Sequence, residues 1–290
     1  AAYNLPYSFI DQFEDDTGIT TKITVDRDAS GEFVSSLASS TPDSNYKLLI
    51  HSDTSNGSTT FTDSSASSHT ITRTNATHST AQSKIGSSSI YFNNNGKLLL
   101  PDHADFNFGT SDITIEFWVY SNDTGSPNSR MIGAGSHPTE WFIRSDSTEN
   151  EAIKAYISSG VKSLNTASQE FSDNTWNHVA LVRDGSTLRL YVNGVQADSV
   201  ACGTGSWDTS SGQRVALGVG NNAGTSEFYT GYLDGVRISR TCRYPNGTTF
   251  TPYTTNFIIT NATGTLISDT QTAPSATTKM SGVILYKDNE

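Results

Sequence analysis

The sequence predicts an all-β fold in which two antiparallel sheets pack face to face, and three observations carry that expectation. Short runs rich in Val, Ile, Tyr and Trp recur along the chain, turns rich in Gly, Asn and Ser separate them, and no window of about eleven residues carries a helical period. The clearest run is 173–195, D-N-T-W-N-H-V-A-L-V-R-D-G-S-T-L-R-L-Y-V-N-G-V, a β-hairpin whose strands 176–183 and 187–192 meet at Asp184-Gly185-Ser186. Val179 and Leu181 face one way and His178, Ala180 and Val182 the other, so both faces of the first strand are largely apolar and it belongs inside a layered structure.

In chain order, residues 1–46 mix aromatic and acidic side chains and offer short strands near 19–25 and 32–37, a flanking β segment with no core of its own. Residues 47–258 carry the main domain. Its strands begin with K-L-L-I-H-S-D, then H-T-I-T-R-T after a Ser/Thr/Gly loop, K-I-G-S-S-S-I-Y-F, and K-L-L-L-P after the turn N-N-N-G. D-I-T-I-E-F-W-V-Y at 112–120 is the most strand-like run. M-I-G-A, W-F-I-R, I-K-A-Y-I, the hairpin, V-A-L-G-V-G, E-F-Y-T-G-Y and L-D-G-V-R-I-S follow it. The prolines of Y-P-N-G-T-T-F-T-P-Y suit an edge or a covering loop. Residues 259–290 read as a linker, S-D-T-Q-T-A-P-S-A-T-T-K at 268–279, and the start of a further β unit. We expect the two flanking pieces to meet as halves of a second β unit or to pack on neighbouring subunits. The start without Met and the apolar run at 283–286 lead us to expect a piece of something longer.

A chain of 290 residues with 34% hydrophobic content can bury a large core. The net charge of −11 and the lack of clustered Lys and Arg argue against nucleic acid as a partner, and no apolar run suits a membrane span. Cys202 and Cys242 are too few for a disulfide framework: two free thiols or one bridge between strand ends both remain open.

H-S-D at 51–53, S-I-Y-F-N at 89–93, L-L-L-P-D-H-A-D-F-N-F-G at 98–109, I-T-I-E-F-W-V at 113–119, W-N-H-V-A-L-V-R at 176–183, L-Y-V-N-G at 190–194 and Y-L-D-G-V-R-I-S at 232–239 together resemble the laminin-G-like, concanavalin-A-like jelly roll. The closing R-Y and F-T-P, with the flanking D-Q-F-E-D-D-T-G-I and M-S-G-V-I-L-Y-K-D-N-E, are similar to structural and tail-associated proteins of marine bacteriophages. That resemblance implies a non-enzymatic virion-surface protein: a capsid decoration, fibre or tail component in contact with other virion proteins and copies of itself, displaying a lectin-like domain toward host-surface polysaccharide. The alternative is a secreted or cell-surface carbohydrate-binding module of a bacterial glycan-degrading protein. Ser52 and Thr54 depart from the resemblance, which has an aromatic and a Gly at those places, and so does Cys242.

Within this frame Glu116 is a lone strand carboxylate rather than half of a catalytic pair, and no H-E-x-x-H, G-x-S-x-G or P-loop occurs. His178 is expected in the sheet rather than on a metal. Acidic loops supply oxygen ligands for structural Ca2+, and Asp53, Asp63 and Asp234 are the candidates, brought together if the first and last strands pair as the resemblance implies. Trp141, Tyr156, Trp207 and Tyr229 flank Gly- or Ser-rich loops and are the candidate sugar-stacking rings, whereas Trp118, Trp176 and Tyr191 are read as core.

Overall fold

The structure is a computed structural model that describes residues 19–23, 25–27, 33–35, 38–40, 44–121, 129–135, 141–146, 152–157, 162–166, 172–204, 214–220, 226–255, 260–262 and 265–268. Its strands are β1 (Ile19–Ile23), β2 (Val25–Arg27), β3 (Phe33–Ser35), β4 (Ala38–Ser40), β5 (Tyr46–Ile50), β6 (Thr72–Thr74), β7 (Thr77–Ser79), β8 (Ser89–Phe92), β9 (Lys97–Asp102), β10 (Ile113–Ser121), β11 (Arg130–Ala134), β12 (Trp141–Asp146), β13 (Ala152–Ile157), β14 (Lys162–Asn165), β15 (Trp176–Asp184), β16 (Thr187–Val192), β17 (Val195–Ala201), β18 (Arg214–Leu217), β19 (Gly231–Ser239), β20 (Thr260–Ala262) and β21 (Thr265–Ser268). Among the described residues no helix is long and apolar enough to cross a membrane.

The chain divides into two compact units. One comprises Ala1–Thr41 and Ile258–Glu290. Within it strands from the two ends of the chain pair: β1 runs antiparallel to β21 from Ile19↔Ser268 to Ile23↔Thr265, β4 pairs with β20, and β2 with β3. Of the expected linker at 268–279, Ser268 is the last residue of β21 instead, and the rest, like the apolar run at 283–286, lies outside the described residues.

The other unit, Pro42–Phe257, holds two antiparallel sheets. The first has the order β17-β16-β15-β10-β19-β8-β7, with β5 also paired to β19; the second has the order β14-β13-β12-β11-β18-β9-β6. β15 and β16 form the hairpin that the sequence predicts, closed at Asp184↔Thr187 with Gly185 at φ +58°. Between the sheets the inward residues of alternating strands make one core: Ile115, Phe117 and Val119 of β10, Val179 and Leu181 of β15, Leu233, Val236 and Ile238 of β19, with Met131, Ile132, Ile143, Ile153 and Leu217 opposite. Each such side chain, removed from water, contributes about 1.5–3 kcal/mol.

Two irregularities set the outer face of the first sheet. Along β19 the alternation breaks at Asp234-Gly235, where a register shift opposite Glu116 to Trp118 and Gly235 at φ +55° mark a bulge. Tyr232 and Asp234 therefore point outward before it and Arg237 after it, while Leu233, Val236 and Ile238 stay in the core. The second feature is a strap, residues 240–255, laid over the outer face. Ala180, Val182 and Tyr191 are buried under Cys242, Tyr244 and Phe250, which explains why β15 is apolar on both sides. Tyr244 and Phe250 stack at 3.4 Å and 1°. Gly194 sits at φ +81° directly beneath the strap, donated to by Phe250 N–H at 3.0 Å, and a Cβ there would collide with the Phe250 carbonyl.

Candidate functional site

Outward positions along β10 are Thr114, Glu116, Trp118 and Tyr120, and the strap decides which of them solvent can reach. Thr114 Oγ1 donates to Thr241 O at 2.8 Å and Trp118 Nε1 to Tyr253 O at 2.8 Å. Between them Glu116 is sealed, with Oε1 2.6 Å from Arg237 Nε and Oε2 accepting from Tyr244 OH at 2.8 Å and His178 Nε2 at 3.1 Å. Burial alone would raise the Glu116 carboxyl, but Arg237 and His178 hold it at about 2. An ion-paired carboxylate with no solvent exposure cannot trade protons near neutral pH, and Glu116 and His178 are structural as the sequence suggests.

Tyr120, the next outward residue of β10, is partly exposed. It lies opposite Trp176 of β15 on one side and Tyr232 of β19 on the other, and Tyr232 lies opposite Tyr91 of β8. The four rings are partly exposed and touch in sequence: Trp176 to Tyr120 at 5.6 Å, Tyr120 to Tyr232 at 5.8 Å, Tyr232 to Tyr91 at 4.9 Å. Because neighbouring strands stand about 4.8 Å apart, four adjacent strands make a strip about 14 Å long. Burial and then the Tyr91 and Tyr120 hydroxyls push the Tyr232 hydroxyl up, so it stays protonated, and Ser79 of β7 hydrogen-bonds it. At the other end Asn174, exposed and at φ +55°, is anchored by its N–H to Ser121 O at 2.8 Å. Flat apolar faces edged with hydroxyl and amide groups suit a ligand that is itself part apolar and part hydroxylated.

The rings chosen from sequence do not gather here. Trp141 is 1% exposed and Tyr229 fully buried: Trp141 packs 5.7 Å from Phe108, and Tyr229 lies beside Phe92 and donates from its hydroxyl to Tyr120 O at 3.0 Å. Both are core residues and present no face to a ligand. Tyr156 stacks on Phe142 at 5.1 Å on the second sheet, apart from the strip, and Trp207 lies outside the described residues. Trp176, read as core, is instead partly exposed, while Trp118 and Tyr191 are buried as expected.

Of the expected calcium ligands, two come together. Asp53 Oδ1 accepts from Ser87 N at 2.8 Å, Asp234 Oδ2 accepts from Lys84 N and Ile85 N at 2.9 Å each, and so one turn, 84–87, carries both carboxylates. Burial pushes the Asp234 carboxyl up to about 7 against the pull of three backbone N–H donors, and the like charge of Asp53 adds to the rise. This pair fits a divalent oxygen-seeking ion, which would relieve both the burial and the repulsion. Asp63 does not join them. It accepts from Leu49 N, Ser65 N, Ser65 Oγ, His69 N and His69 Nδ1, and its lone pairs are spent on that loop.

Solved structures with the same architecture include the binding domain of Paraclostridial Mosquitocidal Protein 1, with a TM-score of 0.51 and 19% identity over 69% of this chain and 50% of that one. Domain 4 of AbnA, a GH43 extracellular arabinanase from Geobacillus stearothermophilus solved in complex with arabinotriose, gives 0.52 and 18% over 69% of this chain and 95% of that one. A structure of botulinum neurotoxin type C, whose cell entry is dependent upon interaction with two ganglioside molecules, gives 0.51 and 12% over 69% and 49%. This chain thus spans about half the length of the toxin chains it matches. The search among curated proteins found no match. The family model described as the concanavalin A-like lectin/glucanases superfamily matches residues 92–246, more than half of the sequence, and the chain belongs to that superfamily.

Proposed function

We propose that this jelly roll is a non-enzymatic glycan-binding module, that the strip Trp176, Tyr120, Tyr232 and Tyr91 is its binding face, and that it is displayed on a virion surface, in a capsid decoration, fibre or tail-associated protein beside other virion proteins and copies of itself. The observation that carries the glycan reading is the registered row of partly exposed rings beyond the strap. Rings that served only the core would be buried, as Trp141 and Tyr229 are. The net charge of −11 favours an uncharged or cation-bearing polysaccharide over an acidic one. Stacking with a few hydrogen bonds gives single-site affinity of about millimolar to micromolar, which repetition on a particle multiplies. Ca2+ held by Asp53 and Asp234 would fix the turn 84–87, which grips Asp234 at the outward position of β19 next to Tyr232.

The second reading, a module of a secreted glycan-degrading protein, is favoured by one observation: AbnA domain 4 is matched over nearly its whole length. Mass spectrometry of purified particles separates the two. Peptides of this chain in virions support the first; a hydrolase domain on the same polypeptide supports the second.

A further inference from the structure

We propose that His69, His103 and Asp105 form a site for a late first-row divalent metal ion, with zinc as the best fit, independent of the glycan face and of the Asp53 and Asp234 pair.

One ligand atom from each of the three residues lies within 4.8 Å of the other two. His69 comes from the loop between β5 and β6, and His103 and Asp105 from the turn at Ala104–Phe106 that follows β9. His69 Nε2 is 3.3 Å from Asp105 Oδ2, and His103 Nδ1 is 3.4 Å from the same oxygen. These distances exceed the 2.7–2.9 Å usual for a charged N–H to carboxylate bond. They match the separation of about 3.3 Å between two ligands each about 2.0–2.1 Å from a tetrahedral zinc.

The hydrogen bonds point the same way. Asp63 accepts from four other donors, and His69 Nδ1 lies 2.7 Å from its Oδ2, which turns Nε2 to the opposite side of the ring. Nε2 is buried, has no hydrogen-bond partner and is aimed at the Asp105 carboxylate. His103 Nδ1 accepts the Asp105 N–H at 3.2 Å, a long bond that an ion on that nitrogen would displace. The three ligand atoms converge, and Ser67 Oγ donates to Asp105 Oδ2 from outside. A carboxylate that holds one ring nitrogen while the other faces the metal is the usual outer support of a zinc-bound histidine, and Asp63 stands in that place. The imidazole-rich set suits zinc over Ca2+ or Mg2+. The His69 side chain is 3% exposed and that of His103 49%, so the site is anchored on one side and open to solvent on the other. The ion would tie the long loop 51–71 to the edge of β9.

The competing account is a doubly protonated His69 bridging Asp63 and Asp105 without metal. Metal-stripped protein is titrated with zinc chloride at pH 7.5 by calorimetry and followed by thermal unfolding, alongside His103→Ala and Asp105→Asn, which alter partly exposed side chains and keep the buried Asp63 to His69 pair. The expected result is one equivalent of zinc bound, a melting temperature several degrees higher, at least tenfold weaker binding in either variant, and no equivalent shift with calcium in Asp234→Ala protein. Nitrogen-15 spectra of the ring should show His69 Nε2 without a proton. Failure to bind zinc, binding unchanged in both variants, or a protonated Nε2 that zinc does not displace overturns the proposal.

Discussion

Arg237 Nε lies 2.6 Å from Glu116 Oε1 across the paired strands β19 and β10, with both side chains out of solvent. The Glu116 carboxyl, held at about 2, lies below its ordinary 4.5, so its contribution to stability is present above about 4.5 and is lost as pH falls toward 2. Glu116→Ala strands a buried guanidinium and should cost about 3–5 kcal/mol. Urea unfolding at pH 7 and at pH 3 reads both. A loss below about 1 kcal/mol at pH 7, or wild-type and variant proteins that lose stability in parallel down to pH 3, would refute the role assigned to the pair.

Cys202 and Cys242 are free, which settles the alternative left open by sequence. Burial pushes the Cys242 thiol up to about 11, so little of it is thiolate at neutral pH. Reducing agent should leave the melting temperature unchanged, and Cys242 should react with iodoacetamide at pH 7 more slowly than a free model thiol. Rapid labelling of Cys242 in the folded protein would show that the strap does not hold it against the sheet.

The fold was legible because its signal is local. The alternation of I-T-I-E-F-W-V-Y and the D-G turn of the hairpin are each written in a few neighbouring residues. The row of rings was not, because it depends on register: nothing near Tyr120 in sequence says that Tyr232 stands opposite it. The proximity rule that selected Trp141 and Tyr229 failed for a related reason, since a ring near a Gly-rich loop still turns inward when its strand position is the inward one. That Asp53 and Asp234 lie on one turn follows from the pairing of first and last strands that the resemblance implied, which β5 and β19 make. Asp63 was grouped with them as an acidic residue of the loop after the early strand, and that loop turns it to His69 instead.

Calcium should bind at Asp53 and Asp234 and stabilise the native state by about 2.7 kcal/mol at a hundredfold excess over its dissociation constant. Chelator should lower the melting temperature, and Asp234→Ala should abolish that sensitivity. Superimposable melting curves with chelator and with calcium would exclude the ion.

Residues 42–257 form a compact unit with their own core. Expressed alone they should unfold in a single cooperative transition followed by circular dichroism. A gradual transition, or a chain without β signal, would show that the strands paired from the two ends of the protein are needed for the jelly roll itself.

The central claim is that glycan is held by the row of rings across β15, β10, β19 and β8. Tyr120→Ala and Tyr232→Ala remove two adjacent rings from the row; Tyr229 bonds the Tyr120 main-chain oxygen, which alanine retains. The decisive measurement is retention of a multivalent form of the protein on immobilised host-surface polysaccharide, compared between wild type, the two single variants, the double variant and Trp207→Ala, with melting temperatures recorded in parallel. Each single substitution should weaken retention about two- to tenfold, in keeping with about 0.5–1.5 kcal/mol per aromatic contact, and the double variant should abolish it, with folding intact. Retention that survives the double substitution, or that is lost only with Trp207→Ala, would contradict the account and move the site away from this face.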